Sequence, residues 1–145
     1  MRITREDEAL VERLKGEISQ IEDDYWNGLP IAKLLATLTK VMDRAIKILW
    51  AEVFGDERGI SLLAIGGYGR GEMFPRSDID LLILTEDTAR WRPQIEDFIQ
   101  RIYNFNFEIG HSVRTIEECV REMKNDISVE TSVMERRHLA GSKDV

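Results

Sequence analysis

With 145 residues, the chain has the length of one compact domain, and its 43% hydrophobic and 32% charged residues give an ordinary globular balance. A formal net charge of −7 argues against a partner gripped through a phosphate backbone, so no nucleic acid partner is expected. Its apolar runs are too short for a membrane span, the opening Met1-Arg2-Ile3-Thr4-Arg5-Glu6-Asp7 lacks a signal-peptide core, and a single cysteine, Cys119, excludes an internal disulfide. Together these point to the cytoplasm, without a membrane partner.

Thr4, with Asp7 three residues on, forms a capping-box pattern that opens a first helix. Leu10, Leu14, Ile18, Ile21 and Tyr25 recur along it at helical spacing, and Asn27-Gly28-Leu29-Pro30 breaks it. A second helix carries Ile31, Leu34, Leu35, Leu38, Val41, Met42, Ala45 and Ile48/Leu49 on one face, and ends near Phe54-Gly55-Asp56. The short turn between the two predicts an antiparallel pair. This helical segment, residues 1–56, is expected to pack on a core formed by residues 57–145.

The period then changes. Ile60 to Ile65 is a short apolar run that predicts a buried strand, and Gly66-Gly67-Tyr68-Gly69-Arg70-Gly71 predicts a glycine-rich turn after it. Asp78 to Leu84 reads as a second strand, central because Leu81-Leu82-Ile83-Leu84 is apolar on both faces. The spacing predicts a helix over about 91–103, a strand over 105–109, and a helix from a Thr115/Glu118 capping box to about Lys124. A last helix, capped by Asp126, is expected to run from Ile127 towards His138. Strands separated by helices, after an all-helical start, give an α/β (α+β) domain with a small mixed sheet flanked by helices.

Asp78 and Asp80 stand two apart on a strand, so both side chains leave the same face, with Cα atoms about 6.5–7 Å apart. Two carboxylates at that separation repel by about 3 kcal/mol at an effective dielectric near 20, and a divalent cation between them reverses the sign. Alone, such a pair reads better as a polar strand entrance. Gly66-Gly67 at the end of the preceding strand changes the balance, because glycines let a backbone approach a phosphate closely and offer it bare N–H groups.

The stretch from Leu62 through Gly66-Gly67-Tyr68-Gly69-Arg70-Gly71 to Asp78-Ile79-Asp80-Leu81 resembles the signature of the DNA polymerase β-like nucleotidyltransferase superfamily. Phe107-Glu108-Ile109-Gly110-His111-Ser112-Val113-Arg114-Thr115 and Arg137-His138-Leu139-Ala140-Gly141 are similar to segments of the N-terminal transferase domain of the bacterial PII uridylyltransferase family. The resemblance spans roughly residues 40–141. It implies a polymerase β-like fold, with Gly66 and Gly67 holding a triphosphate and Asp78, Asp80 and Glu108 acting as catalytic carboxylates that bind two magnesium ions. It further implies UTP as donor, a tyrosine hydroxyl of the PII signalling protein as acceptor, and pyrophosphate as leaving group.

Arg70, Arg76 and Arg114 are candidate phosphate partners, each read equally as a solvent-facing arginine, and Ser77 is a turn residue that could touch a phosphate. His111 is read as structural rather than as an orienting group. Cys119 is read as core, and Trp26, Trp50 and Trp91 as packing rather than base stacking. In the resembling family, a hydrolase domain and two regulatory domains follow the transferase; here the chain reads as an excised domain or a free-standing relative. Two rivals stay open: a stand-alone transferase using ATP on another protein or small molecule, and an inactive nucleotide-binding module. The sequence leaves the oligomeric state unread.

Overall fold

A computed structural model describes residues 5–55, 58–71, 79–105 and 109–142, with side chains from residue 7 onward. The helix α1 (Arg5–Trp26) turns at Gly28 into α2 (Ile31–Phe54), which starts after Pro30 and is stopped at Gly55. Glu17 meets Arg44, while Asp7 and Glu52 share Arg101, so the two helices run antiparallel as the short turn predicts. Trp26 departs from its expected packing role: it is 81% exposed, because it closes α1 beyond the reach of the core.

Strand β1 (Ile60–Ile65) falls where the apolar run placed it, and is followed by α3 (Gly66–Gly69), a single helical turn within the expected glycine-rich turn. Next come β2 (Ile79–Thr85) and α4 (Thr88–Tyr103). The latter begins three residues earlier than its apolar spacing suggests, because the Asp87 side chain accepts a hydrogen bond from the Arg90 amide and caps it. Strand β3 occupies Ile109–Arg114 rather than 105–109; Phe105 is buried just past the end of α4, and 106–108 lie outside the described residues. Helix α5 (Ile116–Asn125) carries the expected Thr115/Glu118 capping box, and α6 (Ile127–Met134) is capped by Asp126. That last helix stops short of His138, and Arg137–Gly141 forms a strand, β4.

The sheet has the order β3-β2-β1-β4, with β1 antiparallel to both β2 and β4, and β2 parallel to β3. The α4 crossover is what permits the parallel pair. As its apolar faces require, β2 is central, with β1 on one side and β3 on the other. Residues of α1, α2 and α4 share one apolar cluster with Ile60, Leu62, Ala64, Ile79, Leu81 and Ile83 of the sheet. At its centre Trp50 stacks on Phe54 at 4.0 Å and meets Phe98 edge-on at 5.3 Å. Side chains of the opposite parity, Leu63, Leu82 and Leu84, meet Cys119 and Val133 of α5 and α6 in a second, smaller cluster. Among the described residues no helix is long and apolar enough to cross a membrane.

Candidate active site

Strand alternation puts Asp80 on the face that α5 and α6 cover only in part, between core-facing Ile79 and Leu81. The register sets Asp80 opposite Ile65 at the end of β1 and opposite Gly110 on β3. Both flanks of its carboxylate are glycine. A Cβ built on Gly66 would lie 3.2 Å from Asp80 Oδ2, and one on Gly110 would lie 2.6 Å from Oδ1. The carboxylate therefore fills space that a side chain at either position would take. Gly66 has a second reason to be glycine: its φ of 62° is left-handed, which lets the chain leave β1 and enter α3 at once. In a single helical turn the opening N–H groups have no acceptor within the turn, so the Gly66-Gly67 backbone is suited to an anionic ligand.

From Asp80 a cavity of about 300 Å³ opens between the sheet and the two C-terminal helices. Its lining includes Ser112 and Arg114 of β3, Cys119 and Glu122 of α5, and Ser128 and Ser132 of α6. That volume is at the small end of small-molecule sites. The Arg114 guanidinium is the cation on this wall; its Nε lies 2.9 Å from Glu122 Oε1, and its Nη1 donates to the Val113 carbonyl at 3.0 Å. Burial pushes the Cys119 thiol above its ordinary pKa, so it lines the cavity as a neutral, packed group.

Of the expected site residues, Gly66, Gly67, Asp80 and Arg114 converge around this cavity and the turn beside it. Arg70 lies elsewhere on the same turn: its guanidinium rests against Gly67 and pairs with Glu135 at 2.5 Å, outside the cavity lining. Asp78, Ser77, Arg76 and Glu108 lie outside the described residues, so Asp80 is the one expected metal-binding carboxylate that is described. His111 is on the face of β3 turned away from Asp80, its Nδ1 3.3 Å from the Tyr103 hydroxyl of α4, in keeping with a structural role. Ser112, Ser128, Ser132, Glu122 and Gly110 belong to the site but were not singled out from the sequence. Ser128 and Ser132 are four apart and so share a helix face, a polar stripe that a closer reading of α6 could have found.

A family profile described as a nucleotidyltransferase domain matches residues 46–134. The chain is 41% identical over 131 residues to a bifunctional uridylyltransferase/uridylyl-removing enzyme of Haemophilus influenzae (strain 86-028NP), an alignment covering 87% of the chain and 15% of that protein. Proteins of the same description from Hydrogenovibrio crunogenus and Pseudomonas putida (strain W619) are 40% and 39% identical over 117 and 132 residues. Those alignments cover 79% and 89% of the chain, and 13% and 14% of the relatives. The chain thus spans about 15% of the length of the curated relatives it matches. Glycine turn, central Asp80 strand and parallel β3 coincide with the profile-matched region, and the chain belongs to the nucleotidyltransferase domain family.

Proposed function

We propose that this domain transfers uridine monophosphate from UTP to a tyrosine hydroxyl of the PII signalling protein, with magnesium required and pyrophosphate released. The observation that carries the reading is the seat of Asp80. Its carboxylate is held between Gly66 and Gly110, directly beside the glycine turn and at the head of a small-molecule-sized cavity. Support for uridylyl transfer, as against transfer of another nucleotide, comes from relatives near 40% identity that are named uridylyltransferases.

Carboxylate and serine hydroxyl oxygens outnumber the one thiol, Cys119, on the cavity wall by Asp80, and burial keeps that thiol neutral, so the oxygens suit magnesium better than a soft transition metal. Asp80, with Asp78 and Glu108, would hold the ions, which when bound neutralise charge on the triphosphate. The chain's own residues do the rest. Gly66 and Gly67 receive phosphate oxygens on backbone N–H groups, and Arg114 turns from Glu122 to a phosphate oxygen. The acceptor oxygen attacks the α-phosphorus in line, the bond from that phosphorus to the bridging oxygen breaks, and pyrophosphate carries away the electron pair. Glu108 accepts the hydroxyl proton.

The test is incubation of the chain with magnesium, purified PII and labelled UTP or ATP. Label should pass from UTP to a PII tyrosine, and Asp80→Asn should lower the rate by about 1,000-fold or more with the fold kept, given what electrostatic groups of this kind contribute. Transfer from ATP alone would overturn the choice of base, and full activity in Asp80→Asn would overturn the site.

A further inference from the structure

We propose that Asp43, acting through Tyr68 and Arg137, is the positioning residue of the glycine turn, fixing where the Gly66-Gly67 backbone meets the triphosphate. The proposal rests on the reading of that turn as the nucleotide-binding element. Tyr68 follows the glycine pair directly, and its ring is turned into the core, 2% exposed. Its hydroxyl donates to Asp43 Oδ1 of α2 at 2.5 Å. Arg137, the first residue of β4, donates to both oxygens of Asp43, at 2.5 Å to Oδ2 and 3.2 Å to Oδ1. It also donates to the main-chain carbonyl of Tyr68 at 3.0 Å, and its guanidinium carbon stands 5.2 Å from the Tyr68 ring centroid. The loop of contacts is closed: three residues from three elements, with two of the anchors on Tyr68, one on its side chain and one on its backbone.

The neighbouring residues tighten the same joint. Gly69 packs so closely on the carbonyls of Glu135 and Ala64 that a Cβ there would collide with both, and Arg70 pairs with Glu135. The stretch leading into β4 thus clamps α3 from one side while Asp43 holds it from the other. Stability alone does not account for this choice of residues. A half-buried Asp–Arg pair is commonly replaceable by apolar side chains without loss of stability, whereas a satisfied polar network admits one geometry. Burial, with Asp43 beside it, raises the Tyr68 hydroxyl well above its ordinary pKa, so it stays a donor throughout the working pH range.

Phosphates held by the turn are held alike before and during transfer, so loosening the turn should weaken binding and spare the chemical step. The experiment compares Tyr68→Phe and Asp43→Asn with wild type and with Asp80→Asn. It measures kcat and KM for UTP with magnesium and PII, Kd for magnesium-UTP by calorimetry, and thermal unfolding. One hydrogen bond to a charged group corresponds to a rise of about tenfold in KM and Kd for both brace variants, with kcat within about twofold of wild type. Wild-type KM and Kd in both variants, alongside a dead Asp80→Asn, would overturn the positioning role and leave the nucleotidyltransferase reading standing. Loss of kcat in step with a lowered melting temperature would also overturn it, as a purely structural role. An active Asp80→Asn, or a wild type that binds no UTP, would instead bring down the reading on which the proposal rests. Should Asp43→Asn not fold, Tyr68→Phe decides, since it removes a single oxygen and keeps the ring.

Discussion

The two faces of the sheet spend their residues differently. On one, α1, α2 and α4 seal the strands with a continuous apolar cluster that includes Trp50, Phe54, Trp91 and Phe98. On the other, among the described residues, the buried cluster is the smaller one of Leu63, Leu82, Leu84, Cys119 and Val133, and beside it opens the cavity with its serines, Arg114 and Asp80. Burial on the first face makes the second affordable: glycines at 66 and 110 and a carboxylate between them contribute little to a core. Stability and site should therefore respond to different substitutions.

The sharpest way to break that separation is at Arg101. Its guanidinium is buried on the sealed face, where it donates to Asp7 Oδ2 and Oδ1 at 2.8 and 2.6 Å and to Glu52 at 2.6 Å, tying α4 to α1 and α2. Those partners, Asp7 first, hold it above its ordinary pKa, so it is charged at every accessible pH. Arg101→Met removes the cation that Glu52 shares with the Asp7 carboxylate, itself 3% exposed, which should cost about 3–5 kcal/mol in urea unfolding. The KM for UTP, measured where the variant is still folded, should not move. A KM that rises with the loss of stability would show the faces to be coupled.

Gly110→Ala runs the comparison the other way. The new Cβ would meet Asp80 Oδ1 at 2.6 Å, so the carboxylate must leave its seat between the two glycines. Misplacing a reacting group by such a distance costs about 100-fold in transfer rate. The strand itself gains from losing a glycine, so urea unfolding should change by less than about 1 kcal/mol. Activity within a fewfold of wild type would mean that the seat between the two glycines does not set the position of Asp80.

How much of this was legible beforehand follows the same division. Elements whose burial writes a period into the sequence, such as α2 and β1, were found with their ends nearly right. The central place of β2 followed from apolar residues on both faces. Strand β4 was missed because it is a short edge strand whose first residues, Arg137 and His138, are polar and whose pairing with β1 slips at Leu62/Leu63, so no alternation survives to be read. At the site, Gly66, Gly67 and Asp80 stood out because their chemistry is local in sequence. Gly110, Ser112, Ser128 and Ser132 did not, since each acquires its meaning from a partner brought close only by folding: the parallel register for Gly110, the packing of α6 on the sheet for the serines. The Tyr68–Asp43–Arg137 joint is of the same kind, spanning residues 25 and 94 positions apart.

The smallest effect expected is one of acid on the site-bearing helices. Helix α5 is capped by a box in which the Thr115 backbone and side chain hydrogen-bond Glu118, holding that carboxyl below its ordinary pKa. In α6 the Ser128 hydroxyl and amide donate to Asp126 and lower its carboxyl likewise. A carboxyl whose folded pKa is depressed stabilises fully above its unfolded value, and that contribution fades as pH falls through the folded one. The window therefore lies from the ordinary carboxylate range downwards, and the loss goes one way. Helix α2 begins at Pro30 with no side-chain cap, so it has no such contribution to lose at its N-terminus. Hydrogen exchange, corrected for its intrinsic pH dependence, should show α5 and α6 opening more readily as pH enters that window while α2 stays protected. Asp126→Asn keeps a capping oxygen without the titration, and should remove the acid sensitivity of α6 while leaving that of α5. Equal loosening of α2, or an unchanged response of α6 in the Asn variant, would show that the acid response lies elsewhere in the fold than these caps.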